Sequence, residues 1–117
     1  MIAGVGIDLF EIPRFQKLRT NPDFLNQIFS APEIARIQKN RDPVYPPAVR
    51  FAVKEAVLKA LRTGLKNGWS WRRIRIDRKL GVALKGKIPD PVKNNNKIHA
   101  AAAHGRAFSV AISLIER

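Results

Sequence analysis

Arg50-Phe-Ala-Val-Lys-Glu-Ala-Val-Leu-Lys-Ala-Leu-Arg-Thr-Gly64 is the longest helix-like run in the chain, and the other elements are placed around it. Ala, Leu, Lys and Glu dominate it, it has no internal Gly or Pro, and Gly64 stands where a C-terminal cap is expected. These features predict a helix. At about 100° per residue, Val49, Val53, Ala56, Val57, Ala60 and Leu61 form one apolar stripe, with Phe51 and Leu58 nearly opposite. A helix that is apolar on two sides packs on two sides, as a central element or against a partner subunit. Between the stripes lie Glu55, Lys59 and Arg62, with Lys54 across from them. One carboxylate among several cations admits two readings: a metal and phosphate site, or an exposed Glu55–Lys59 ion pair one helical turn apart.

On the N-terminal side, residues 1–9 predict a buried strand, with Gly4 and Gly6 marking a close backbone approach. They are not a dinucleotide fingerprint, because the third Gly would fall at Leu9 and no strand precedes. Asp8 ends this apolar run. It serves either as the N-cap of a helix beginning near Ile12-Pro13 or as a metal ligand on a rigid element. Short helices are expected over 13–20 and 23–29. A third runs from Ser30 to about Lys39, with Ser30 and Glu33 as a capping box. Residues 40–47, with three prolines, predict a loop.

On the C-terminal side, Trp69-Ser-Trp-Arg-Arg-Ile-Arg-Ile76 alternates, with Ile74 and Ile76 inward, and pairs back with Val82–Leu84 as a hairpin. Residues 86–97 are loop-like. Two strands, 98–103 and 107–115, turn at His104-Gly105-Arg106. In the last, Phe108, Val110, Ile112 and Leu114 share one face, while Ser109, Ala111 and Ser113 make the other small. The expected class is α+β, with helices mainly in the first half, an antiparallel sheet in the second, and the first strand joining that sheet.

A chain of 117 residues that is 45% hydrophobic reads as one folded domain, residues 1–117. It has no cysteine, which excludes disulfides and thiolate metal sites. No apolar run reaches bilayer-spanning length and no leader pattern is evident, so the expected location is cytoplasmic. The net charge of +13 is uneven: residues 1–49 carry +1 and residues 50–117 carry +12. Such a basic half predicts polyanionic partners: nucleic acid, a phosphorylated cofactor or an acidic protein.

Taken together, Gly4-Val-Gly-Ile-Asp-Leu-Phe-Glu-Ile12 and the 50–64 helix resemble the 4'-phosphopantetheinyl transferases, in the short holo-acyl-carrier-protein synthase branch. Trp69–Ile76 and a histidine before the last strand extend the likeness over most of the chain. The resemblance implies transfer of the phosphopantetheine arm of coenzyme A to a serine of an acidic apo carrier protein, releasing adenosine 3',5'-bisphosphate. It implies a Mg²⁺ ion on Asp8 and Glu55, an ion suited to one or two carboxylates, phosphates and water. It also implies Lys59, with Lys54 and Arg50, on phosphate oxygens, Glu55 as proton acceptor, His104 near the coenzyme phosphates and Arg14 in carrier docking. Family members of this size are commonly trimers with sites between subunits.

Two departures stand out. Ala101, Ala102 and Ala103 precede His104 where relatives have a Ser-x-Ser pattern, and residues 86–97 are a Pro/Asn loop where relatives usually have a helix. They raise one alternative, a family member that binds coenzyme A but has impaired catalysis. The other alternative is a small basic nucleic-acid-binding module, carried by Arg72, Arg73 and Arg75 beside Trp69 and Trp71.

Overall fold

Gly4, Gly6 and a run of alanines let one helix and one strand meet backbone to backbone, and the fold grows from that contact. The computed structural model describes residues 1–62, 70–86 and 96–117. Its elements are β1 (Ile2–Glu11), α1 (Ile12–Leu18), α2 (Pro22–Ile28), α3 (Ala31–Lys39), α4 (Tyr45–Leu61), β2 (Ile74–Ile76), β3 (Val82–Leu84), β4 (Lys97–His104) and β5 (Phe108–Glu116). A 3₁₀ turn, Trp71–Arg73, leads into β2. The α+β class is as the sequence predicts.

Strands β1, β5 and β4 form an antiparallel sheet in that order, and α4 lies across β1 and β5. A methyl group at Gly6 would sit 1.8 Å from the Ala56 carbonyl oxygen, and one at Gly4 2.2 Å from that of Ala60. Any side chain at either position would push the helix off the sheet. Ser109, Ala111 and Ser113 do the same from β5, so its small face is the buried one. On the other side of α4, Phe15, Ile28, Phe29 and Phe51 form an aromatic-rich cluster with α1 and α2. The helix is covered on two sides, as its stripes predict.

The structure revises several expectations. The helix does not wait for Pro47 but starts at Tyr45, because prolines in a first helical turn lack only N–H groups that would go unbonded there. Its described end is Arg62, left-handed at φ 62°, and Gly64 lies outside the described residues. Strand β1 continues to Glu11, so Asp8 sits within a strand and caps no helix. That strand is buried on one face only. The β2–β3 hairpin forms its own two-stranded sheet rather than joining the larger one. His104 ends β4, paired with Ser109, instead of lying in the turn. Trp69 and nearly all of the 86–97 loop lie outside the described residues.

The outer face of the three-stranded sheet carries Val5, Ile7, Leu9, Phe108, Val110 and Ile112, all exposed, with Leu9 at 62%. Among the described residues no helix is long and apolar enough to cross a membrane.

Candidate active site

Strand alternation puts Gly4, Gly6 and Asp8 on the face that meets α4. With the two glycines drawing the backbones together, Asp8 arrives beside the helix, 8% exposed. There the Lys59 ammonium donates to Asp8 Oδ1 at 3.0 Å and to the Ile7 carbonyl at 2.9 Å. Lys59 therefore turns to the strand carboxylate, while Glu55 takes a 2.8 Å hydrogen bond from the Trp71 indole N–H at its Oε1. Burial raises the Glu55 pKa, the Trp71 hydrogen bond opposes that, the Asp8 charge raises it further and Lys59 lowers it. Glu55 thus feels both Asp8 and Lys59, and the three residues form one polar cluster at the strand–helix seam.

Asp8 Oδ2 is buried with no hydrogen-bond partner among the described residues. A buried, partnerless carboxylate oxygen is costly unless something occupies it. With Glu55 in its field and a half-exposed lysine alongside, this donor set suits a hard divalent cation that completes its shell with phosphates and water. Among the described residues no group of three or more His, Cys, Asp or Glu could hold a metal.

Lys54 corrects the expectation that it holds coenzyme phosphate. Its side chain is fully buried, and its ammonium donates to Ile28 O at 2.8 Å, Glu33 Oε1 at 2.8 Å and Trp71 O at 3.1 Å. All three donors are spent on protein. Burial pulls its pKa down to about 8, against the pull of Glu33, and it remains charged at neutral pH. Arg50 faces elsewhere again. It bonds Pro46 O and Arg78 O and, with Arg36, Lys39 and Arg78, lines a cavity of about 360 Å³. Burial, then the Arg36 charge, lowers its pKa, while the Glu33 and Asp77 carboxylates pull it the other way.

His104 stacks on Tyr45, ring centroids 4.4 Å apart, at the first turn of α4. From Tyr45 to Glu55 the helix rises about 15 Å. Within one chain, therefore, the structure does not bring His104 to the carboxylate pair. Arg14 is exposed on α1, its guanidinium 5.6 Å from the Phe10 ring centroid. Trp71, an expected candidate for base stacking, is half-buried and committed to Glu55.

The 4'-phosphopantetheinyl transferase superfamily model matches residues 4–112. The chain belongs to that superfamily. It is 37% identical over 122 residues to a holo-[acyl-carrier-protein] synthase of Clostridium tetani, spanning 99% of this chain and 97% of the relative. It is 32% identical to one of Koribacter versatilis, spanning 99% of both. Among solved structures, a holo-(acyl-carrier-protein) synthase of Bacillus anthracis in complex with coenzyme A (3',5'-ADP) superposes with a TM-score of 0.77 at 28% identity, over 99% of this chain and 97% of that one.

In this transferase two residues have partners that spacing did not show: Glu33 holds Lys54, and Trp71 holds Glu55. Glu33 registers only as half of a capping box, which it completes, yet the same Oε1 also accepts Lys54. A buried cation on α4 needs a buried anion somewhere, and that requirement was the one available signal.

Proposed function

We propose that this enzyme transfers the 4'-phosphopantetheine arm of coenzyme A to a serine of an apo acyl carrier protein, with the whole chain acting as one transferase domain. The observation that carries this reading is the partnerless buried oxygen of Asp8 beside Glu55 and Lys59, in a chain matched almost end to end by its relatives. Asp8 and Glu55 would hold Mg²⁺, which when bound neutralises charge on the pyrophosphate.

Lys59 is the chain's own cation at the reacting phosphates, half-exposed and anchored by Ile7 O and Asp8. Glu55, with its pKa raised by burial, is the group suited to take the serine proton. The serine oxygen then bonds to the phosphorus that carries the pantetheine arm. The bond from that phosphorus to the bridging oxygen breaks, and adenosine 3',5'-bisphosphate leaves with that oxygen. Such transfers rely mainly on positioning and electrostatic stabilisation. The cavity lined by Arg36, Lys39, Arg50 and Arg78 suits the adenosine bisphosphate end, because these four cations outnumber the one carboxylate on its wall, Glu33.

The exposed apolar face of the sheet fits assembly into a homotrimer, since a contiguous apolar patch of this kind on a soluble chain marks an interaction site. A site shared between subunits would let His104 serve a neighbouring copy. Arg14, exposed on the first helix, is the proposed docking cation for the acidic carrier, and the expected location is the cytoplasm, where apo carrier and coenzyme A meet.

The test is to incubate the chain with apo carrier protein, coenzyme A and Mg²⁺ and to weigh the carrier. The expected result is a gain of one phosphopantetheine arm that chelation of Mg²⁺ abolishes. Coenzyme A binding without any mass gain would identify the impaired family member instead. Salt-sensitive oligonucleotide binding without transfer would identify the basic nucleic-acid module.

A further inference from the structure

We propose that Trp71 is a positioning residue for Glu55, and that Lys54 and Glu33 form a strut holding Trp71 in place. This rests on the reading of Asp8 and Glu55 as the cation's ligands. The contacts form one chain across the molecule. Ile28 at the end of α2 and Glu33 in the first turn of α3 both accept from the Lys54 ammonium, each at 2.8 Å. The same ammonium donates to the Trp71 carbonyl at 3.1 Å, and the Trp71 indole N–H reaches Glu55 Oε1 at 2.8 Å. The Trp71 ring packs beside Phe51, centroids 6.5 Å apart. Its backbone, ring face and ring nitrogen are thus each fixed by a different partner.

The chemistry of the donor matters. A carboxylate that must grip a cation with one oxygen gains from a neutral hydrogen bond on the other, which orients it without neutralising it. Lysine or arginine at this place would compete with the cation for the same charge. Indole N–H is a donor only and carries no formal charge, so it holds Glu55 and leaves its negative charge free. The Lys54 charge is kept out of this competition, buried and spent on Glu33 and two carbonyls. Placed one residue apart on α4, Lys54 and Glu55 therefore point to opposite ends of the same tryptophan.

Trp71→Phe removes the N–H and keeps an aromatic ring, and Phe51→Leu disturbs the same cluster without touching a donor. Each full-length protein is titrated with Mn²⁺ in the presence of coenzyme A, following free Mn²⁺ by electron paramagnetic resonance. In parallel, the Mg²⁺ activation constant and the coenzyme A KM are measured in the transfer assay. Trp71→Phe is expected to weaken Mn²⁺ binding and raise the Mg²⁺ activation constant about tenfold. The KM for coenzyme A at saturating Mg²⁺ should change less than about twofold, because the adenosine end binds elsewhere. In the wild type, Mn²⁺ should broaden the indole N–H resonance that Trp71→Phe deletes. Equal Mn²⁺ affinity in wild type and Trp71→Phe overturns the proposal. An equal loss in Phe51→Leu also overturns it, since packing alone would then account for the effect. A wild type that transfers normally while Trp71→Phe matches it defeats this inference only; a wild type that neither binds Mn²⁺ nor transfers defeats the underlying reading of the site.

Discussion

Helix α4 carries two lysine–carboxylate pairs five residues apart, and they are built for opposite ends. Lys54–Glu33 is closed: the lysine side chain is 0% exposed, its three donors are met, and it ties α2, α3 and the Trp71 turn to the central helix. Lys59–Asp8 is open: the lysine side chain is 52% exposed and has two protein acceptors. Both carboxylates keep one buried oxygen without a hydrogen-bond partner among the described residues. The Asp8 charge also reaches a second carboxylate, Glu55, whose pKa it raises. Both pairs join a lysine to a carboxylate, so burial and neighbours separate the closed clamp from the open pair.

The contrast breaks first at Lys54. Lys54→Met leaves Glu33 buried and unpaired, and should cost about 3–5 kcal/mol in urea unfolding. Lys59→Met should cost less, about 1–2 kcal/mol, because Lys59 itself is half in water although its partner Asp8 is buried. Equal losses would erase the distinction. The same two variants should reverse in function, with Lys59→Met lowering transfer while its fold stays intact.

Asp8→Asn sharpens the open side. It keeps the shape and removes the charge, so transfer should fall at least 100-fold, about 3 kcal/mol, with little change in unfolding midpoint. The mass gain of the carrier against time measures it. A variant that transfers at near wild-type rate would remove Asp8 from the site.

The smallest effect has the least obvious sign. The folded-state pKa of Glu55 is raised above its ordinary value of 4.5, first by burial. A raised carboxyl pKa favours the fold fully below the unfolded value, and that contribution is lost as pH rises through the folded value. The ionised group therefore costs stability at neutral pH. Glu55→Gln should make the metal-free protein slightly more stable at pH 7, and the gain should vanish below about pH 4. Thermal unfolding at the two pH values checks it. An active site held against local stability would show this trade.

Much of this was legible in the chain. Gly4 and Gly6 signalled a close backbone approach and the helix with two apolar sides signalled covering twice, while the meeting of Asp8 and Glu55 was implied only by the family resemblance. The capping box at Ser30 and Glu33 was equally plain. What spacing could not say is which face of β5 points inward. Large apolar residues usually face the core, yet here Phe108, Val110 and Ile112 lie outside, because close contact with α4 demands small side chains. Lys54 was misread for a related reason. Its neighbours on the helix are Glu55 and several cations, while its true partners, Glu33 and the Ile28 and Trp71 carbonyls, are 17 to 26 residues away. Long-range polar partners leave no periodic trace. The prolines before α4 misled because a first turn tolerates what a helix interior does not.

Asp8 and Glu55, distant in sequence, are proposed to close on one cation at the β1–α4 seam. Anomalous diffraction from crystals grown with Mn²⁺ and coenzyme A tests it most directly. One strong anomalous peak is expected between the two carboxylates, with pyrophosphate oxygens completing its shell and Lys59 beside them. A bound coenzyme with no peak there, or a peak held by other residues, would contradict it.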